Sequence, residues 1–149
     1  MSTSLSVTET LQWEAWKHAQ AAVSEAVERA IESASGLSGP DFAVLSRVVE
    51  LGDGTLGQNQ LVASLGWDRS RLSRQLTRMA ARGLLVSTAA SGGGARRQII
   101  ATDDGRERVR LARPAHARAV RDALLEPAST ADDFWAGVTA LSDGHAKKH

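Results

Sequence analysis

Arginine and hydroxyl side chains recur along one stretch of the sequence at spacings that place them on one face of a helix. At about 100° per residue, Leu72, Leu76 and Met79 fall on the opposite, apolar face. Arginine presents a bidentate fork to guanine O6 and N7, and hydroxyl groups both donate and accept hydrogen bonds. The pattern therefore predicts a helix that contacts the bases and phosphates of double-stranded DNA. Its predicted contact residues are Arg69, Ser70, Arg71, Ser73, Arg74, Thr77 and Arg78.

Three residues of this set, Ser70, Arg71 and Arg74, are predicted to contact base edges. Arg78 lies further along the helix, where the groove has curved away, so we expect it to contact a phosphate. The alternative is that the face is only a solvated, arginine-rich helix surface.

The charge distribution favours a polyanionic partner. Residues 67–97 contain seven basic residues and one acidic residue, whereas residues 1–66 contain three basic and eight acidic residues. Residues 98–149 contain eight of each, so the formal net charge of the chain is only +1. The positive field is therefore concentrated in the segment that contains the predicted contact helix.

Helical periodicity, capping residues and glycine stops indicate a mainly helical chain around this segment. Asp68 is a strong N-cap for the contact helix and Gly83 ends it, while Ser38 and Thr102 are the N-cap candidates of two other helices. The predicted helices span residues 8–34, 39–51, 58–65, 69–82, 103–125 and 130–141. The first is longer than a small domain needs, so its apolar stripe is expected to pack on a further partner.

Two extended runs, residues 84–90 and 96–102, flank a glycine-rich tip and predict a β-hairpin. Arg96 and Arg97 follow the tip directly, and an arginine held there can enter a narrow minor groove. The alternative is that they are ordinary strand-end arginines that keep the tip soluble. A short helix, a turn, a second helix and a hairpin follow one another in the order of a winged helix-turn-helix, whose second helix enters the major groove.

Residues 36–121 resemble the MarR family of bacterial transcriptional regulators, most specifically in the helix-turn-helix. The resemblance is carried by LVASLGWDRSRLSR at residues 61–74, by Leu76, Arg78, Met79 and RGL at residues 82–84, and by TDDGR at residues 102–106. It implies a mainly α fold with a small β-hairpin wing and long N- and C-terminal dimerisation helices. It also implies that Asn59 contacts a phosphate.

The domain organisation implied by the resemblance is a single domain over residues 1–149. Residues 38–102 are expected to form the winged helix-turn-helix, and residues 8–35 and 103–142 the dimerisation helices that interlock between two subunits. A homodimer would require a near-palindromic operator, because the symmetry of the protein must be matched by the DNA.

Two positions depart from the family pattern. Ala95 stands where the family usually has an aspartate that pairs with the second wing arginine, so Arg97 is expected to be less fixed. Gly57 stands where a helix-capping threonine is common, so that side-chain cap is expected to be missing.

The resemblance also implies a small aromatic effector, since members of the family commonly bind aromatic or phenolic acids between the dimer helices and the DNA-reading module. The side chains that would line such a site are Trp13, Trp16, His18, Phe42 and His116. The alternative is that these aromatic residues belong simply to the dimer core.

Several other functions are not expected from the sequence. The chain has no cysteine, which excludes thiol chemistry, and its four histidines lack metal-ligand spacing. No catalytic triad, phosphate loop or dinucleotide fingerprint is present, so neither an enzyme, a metal nor a cofactor is expected. No apolar run approaches the roughly 18 residues of a membrane span and no signal peptide is recognisable, so a cytoplasmic protein without membrane contact is expected.

The sequence as a whole predicts a homodimeric, sequence-specific regulator of transcription that binds double-stranded DNA, acts as a repressor and is released by a small aromatic ligand. The alternative is a winged-helix module for chromosome architecture or protein–protein contact, whose arginines bind DNA without sequence preference.

Overall fold

The computed structural model describes residues 3–89 and 97–146 of the 149-residue chain. The elements in these residues are α1 (Val7–Ser35), α2 (Gly39–Leu51), β1 (Thr55–Gly57), α3 (Gln58–Leu65), α4 (Arg69–Ala81), β2 (Leu85–Ala89), β3 (Arg97–Ala101), α5 (Asp103–Val120) and α6 (Asp132–Ala146). A π-helical turn, Arg121–Leu125, follows α5. The predicted mainly helical fold with a small wing is confirmed, and α6 extends five residues beyond its predicted end.

The chain divides into two compact units. The central unit comprises residues 27–116, and the terminal unit comprises residues 1–26 and 117–149. None of the helices in the described residues is both long enough and apolar enough to cross a lipid bilayer.

The core of the central unit forms where α2, α3 and α4 bury their apolar sides together with the sheet. Leu72, Leu76 and Met79 of α4 are buried, as their helical spacing predicts. They belong to one cluster with Val44, Leu45, Val48, Leu61, Leu84, Leu85, Ile99 and Val109. This packing holds α4 with its polar side exposed, because the apolar stripe faces the core.

The predicted hairpin is confirmed, and it belongs to a three-stranded antiparallel sheet in the order β1-β3-β2. Its register pairs Leu85 with Ala101 and Ala89 with Arg97. The third strand, β1, was not predicted, because three residues are too few to show an alternating pattern. The glycine-rich tip, Ala95 and Arg96 lie outside the described residues.

The three predicted side-chain caps are confirmed. Ser38 Oγ accepts from the Asp41 N–H at 3.1 Å, Asp68 Oδ1 accepts from the Arg71 N–H at 2.7 Å, and Thr102 Oγ1 accepts from the Gly105 N–H at 3.0 Å. These contacts satisfy backbone donors that the first helical turn leaves unpaired.

The side-chain cap of α3 is missing, as expected from Gly57. Half of a capping box remains, because Gln60 Oε1 accepts from the Gly57 N–H at 3.0 Å. After α3, Gly66 adopts a left-handed conformation with φ of 68°, which forms the tight turn into α4.

Candidate nucleic-acid interface

All seven predicted contact residues of α4 are exposed, so the structure brings them together on one helix face. The opposite side buries the apolar stripe and one polar residue, Gln75, which is 6% exposed. The sequence analysis missed Gln75, although its position beside Leu72 and Leu76 in the pattern signals a polar group on the buried side.

The four arginines of this face differ in their contacts. Arg69 Nη1 donates to Asn59 Oδ1 at 2.7 Å, which joins α4 to the start of α3. The Arg71 guanidinium lies over the Trp67 ring, with Cζ 3.9 Å from the ring centroid. Two of the four arginines are therefore engaged by other side chains of the protein.

Arg78 Nη2 donates to Gln75 Oε1 at 2.9 Å. Arg74, by contrast, has no hydrogen bond or ion pair with the described part of the chain. No contact within the described residues therefore occupies its guanidinium donors. Of the three predicted base-edge residues, Arg74 is the arginine whose guanidinium makes no contact with the described part of the chain.

Arg97 is exposed at the start of β3 and lines two adjacent depressions. One, of about 470 Å³, is also lined by Gln58, Ser73, Leu76, Thr77, Ala80 and Ser87. The other, of about 200 Å³, is also lined by Gly57, Gln58, Asn59, Gln60 and Gln98. The structure therefore brings Asn59, Ser73, Thr77 and Arg97 close together between the start of α3, α4 and the sheet.

A polar cluster joins the buried side and the C-terminal end of α4 to the start of α2. Asp41 accepts from Gln75 Nε2 through Oδ1 at 2.7 Å, and from Arg82 Nη1 and the Ser38 N–H through Oδ2 at 2.6 and 3.0 Å. Arg82 Nη2 also donates to the Gly36 carbonyl at 3.2 Å. We call Asp41, Gln75 and Arg82 the Asp41 cluster. The sequence analysis did not identify Asp41, because its contacts with α4 join residues far apart in the sequence.

The Asp41 carboxyl is held in its charged form. Burial would by itself raise its pKa, but hydrogen bonds from the Ser38 N–H and from the Arg82 guanidinium outweigh that effect. The pKa of Asp41 is therefore lower than its ordinary value.

This lowered pKa predicts a loss of stability in acid. The stabilisation is complete above the pKa of an unfolded aspartate, about 3.9, and it is lost as the pH falls through the lower pKa of the folded protein. Urea unfolding between neutral pH and pH values below about 4 should show the free energy of unfolding of wild type falling towards that of Asp41→Asn. A constant difference between the two proteins across this range would contradict the prediction.

The predicted ligand residues fall into two sets. Phe42 and His116 of the central unit are in contact, with ring centroids 4.9 Å apart. Burial, followed by the charge of Arg113, lowers the pKa of His116 against the opposing effect of Glu50, which favours the neutral form of the ring.

The other set, Trp13, Trp16 and His18, lies exposed on α1 in the terminal unit. Trp13 and Trp16 are 51% and 41% exposed. Lys17 Nζ lies 5.5 Å from the Trp13 ring centroid, and Glu14 contacts both Lys17 and His18. These side chains are therefore accessible in the single chain.

Solved structures with a similar fold include MarR family transcriptional regulators from Streptomyces coelicolor. AbsC matches with a TM-score of 0.84 and 21% sequence identity, and the match covers 99% of this chain and 97% of AbsC. A second MarR family transcriptional regulator, solved in complex with DNA, matches with a TM-score of 0.85 and 21% sequence identity. This match covers 99% of this chain and 91% of that regulator. The chain has the MarR winged-helix fold. The PcaV transcriptional regulator in complex with its natural ligand matches with a TM-score of 0.71 and 22% sequence identity, and the match covers 98% of each chain.

No protein-family model and no curated protein matches the sequence. In the MarR fold of this chain, α3 and α4 form the helix-turn-helix, and β2 and β3 form the wing.

Proposed function

We propose that this chain is a sequence-specific, double-stranded DNA-binding regulator of transcription that acts as a repressor. The observation that carries the proposal is the exposed polar face of α4, in which Arg74 has no partner in the described part of the chain. An arginine whose donors are not engaged in that part of the chain is suited to a guanine edge in the major groove. A DNA complex has been solved for a regulator of the same fold, which supports the proposal.

The backbone contacts are proposed to come from residues around α4. Asn59 and Arg97 line the same depression, and Arg69 is held beside Asn59. Such contacts orient a protein on the duplex without reading its sequence. Arg96 is proposed as a further contact by its place in the sequence.

A homodimer is proposed because the terminal unit lacks a core of its own. Within residues 3–26 and 117–144, no side chain is buried. The exposed large apolar residues of this unit are Leu5, Val7, Leu11, Trp13, Trp16, Leu125, Phe134 and Leu141. Apolar surface of this extent is characteristic of an interface, and two subunits joined through residues 8–35 and 103–142 would cover all of these residues except Leu5 and Val7.

The test combines oligomeric state with DNA binding. Light scattering should give about twice the mass of one chain. Footprinting on the DNA upstream of its own gene should show two related half-sites about one helical turn apart. A monomer would contradict the dimer, and an extended footprint without sequence preference would favour the architectural alternative.

An aromatic effector is proposed as the signal that releases the DNA. A regulator of the same fold has been solved with its natural ligand. Exposed Trp13 and Trp16 offer flat apolar surface to a planar compound, and His18 offers a hydrogen-bonding group nearby in sequence. Phe42 and His116 are proposed as ligand contacts on the central unit.

Titration with aromatic acids should quench tryptophan fluorescence in parallel with release of DNA, because Trp13 and Trp16 would contact the compound. Trp16→Leu is expected to lose most of both responses, whereas Trp135→Phe in α6 is a matched control that should retain them. Retention of the full response by Trp16→Leu would assign these aromatic residues to the dimer core instead.

A further inference from the structure

Gln75 is the polar residue on the buried side of α4, and every polar atom of its amide group is engaged. Nε2 donates to Asp41 at 2.7 Å and Oε1 accepts from Arg78 at 2.9 Å. Gln75 is 6% exposed and Asp41 is 2% exposed, so water cannot substitute freely for these contacts. The amide therefore has one favourable orientation, because a flip would oppose donor to donor and acceptor to acceptor.

The Asp41 cluster holds α4 at two points. Gln75 lies in the middle of the helix and Arg82 at its C-cap, and both donate to the carboxylate of Asp41 in the first turn of α2. Arg82 also donates to the Gly36 carbonyl, where α1 has just ended. Two anchors on one helix restrict both its rotation about its axis and its tilt.

Apolar packing alone restricts rotation less. The contacts of Leu72, Leu76 and Met79 are non-directional, whereas hydrogen bonds weaken steeply away from their preferred angles. The rotation of α4 matters because Arg74 is adjacent to Gln75 in the sequence, and Arg78 is bonded to the Gln75 amide. A small rotation would therefore displace the residues that face DNA.

We propose that Asp41, Gln75 and Arg82 are positioning residues for DNA recognition, which hold α4 in the rotation that presents Arg74 and Arg78 to the duplex. The inference rests on the proposed function. It assigns no DNA contact to the three residues themselves, since two of them are buried.

The decisive experiment exchanges the polar groups of Asp41 and Gln75. Gln75→Glu places a second carboxylate against Asp41 and should reduce the ratio of specific to nonspecific DNA affinity by about tenfold, a loss equivalent to one or two hydrogen bonds. Adding Asp41→Asn lets an amide donate to the new carboxylate and accept from Arg82 and Ser38. The double variant should therefore recover most of the ratio.

Val48→Ala is the control for a purely structural effect, because it weakens the core of α2 without touching the Asp41 cluster. It should lower the free energy of unfolding and leave the affinity ratio unchanged. If Gln75→Glu also leaves the ratio unchanged, or if the double variant recovers none of it, the cluster does not position α4 for recognition.

Amide hydrogen exchange of the DNA-free protein gives a readout that does not depend on DNA. Exchange in α4 should accelerate by about tenfold in Gln75→Glu and return towards wild type in the double variant. If the wild-type protein binds DNA without any sequence preference, only the proposed function is refuted. Amide exchange would still show whether the Asp41 cluster holds α4. Unchanged exchange in Gln75→Glu would overturn the positioning role even if wild type binds its operator.

Discussion

Arg74→Ala is expected to remove most of the sequence preference while changing nonspecific affinity much less. A bidentate arginine–guanine contact contributes about 1–3 kcal/mol of discrimination against a wrong base, and a homodimer would lose it in both half-sites. Because Arg74 has no partner in the described part of the chain, we expect this to be the largest effect of one residue of α4. Binding to an operator fragment and to a scrambled fragment of equal length measures both affinities.

Arg97→Ala is the matched control, because Arg97 is also an exposed arginine without a partner in the described part of the chain. It is placed beside Asn59 in a depression suited to backbone contact, so specific and nonspecific affinities should fall by similar factors. The slope of log affinity against log salt should shrink by about 0.9 for each phosphate that the variant no longer neutralises. An unchanged affinity ratio for Arg74→Ala would refute the assignment of the base-reading residue.

Gly105→Ala is expected to destabilise the central unit by about 3 kcal/mol, at the upper end of typical overpacking effects. A methyl group on Gly105 would overlap the Leu84 carbonyl oxygen and would approach Leu45 Cδ2 to 3.4 Å. The Leu84 carbonyl is backbone and already accepts from the Thr102 N–H at 3.2 Å, so it cannot move without breaking the junction between β2 and α5.

Gly144→Ala provides the matched control within α6, since it lies outside the residues proposed to join two subunits and nothing in the described part of the chain lies within 4 Å of the added methyl group. Alanine is preferred to glycine inside a helix by up to about 1 kcal/mol, so this variant should be slightly more stable than wild type. Urea unfolding of both variants tests the pair. A Gly105→Ala protein as stable as wild type would show that α5 approaches the sheet less closely than the structure indicates.

The two-sided character of α4 and the positions of its ends could be predicted from local sequence. Leu72, Leu76 and Met79 recur at the period of one helix, and this periodicity depends only on backbone geometry. The caps at Ser38, Asp68 and Thr102 were likewise predictable, because each joins residues three positions apart. The order of these local elements was sufficient to predict a winged helix-turn-helix.

The contacts among the arginines of α4 could not be predicted in this way, because they depend on how the folded elements meet. Five exposed arginines between residues 69 and 82 are similar in sequence, yet Arg74 differs because the other four have partners. Trp67 lies four residues before Arg71, but spacing alone does not show that the ring and the guanidinium stack.

The Asp41 cluster shows most clearly what required the folded chain. Gln75 and Arg82 lie 34 and 41 residues after Asp41, and nothing local relates them. Their pairing depends on the packing of α2 against α4, which excludes water from Asp41 and Gln75 and leaves these two polar groups to be satisfied by the protein. Periodicity identifies which side of a helix is buried, whereas the partner of a buried polar group is decided by the element that packs against it.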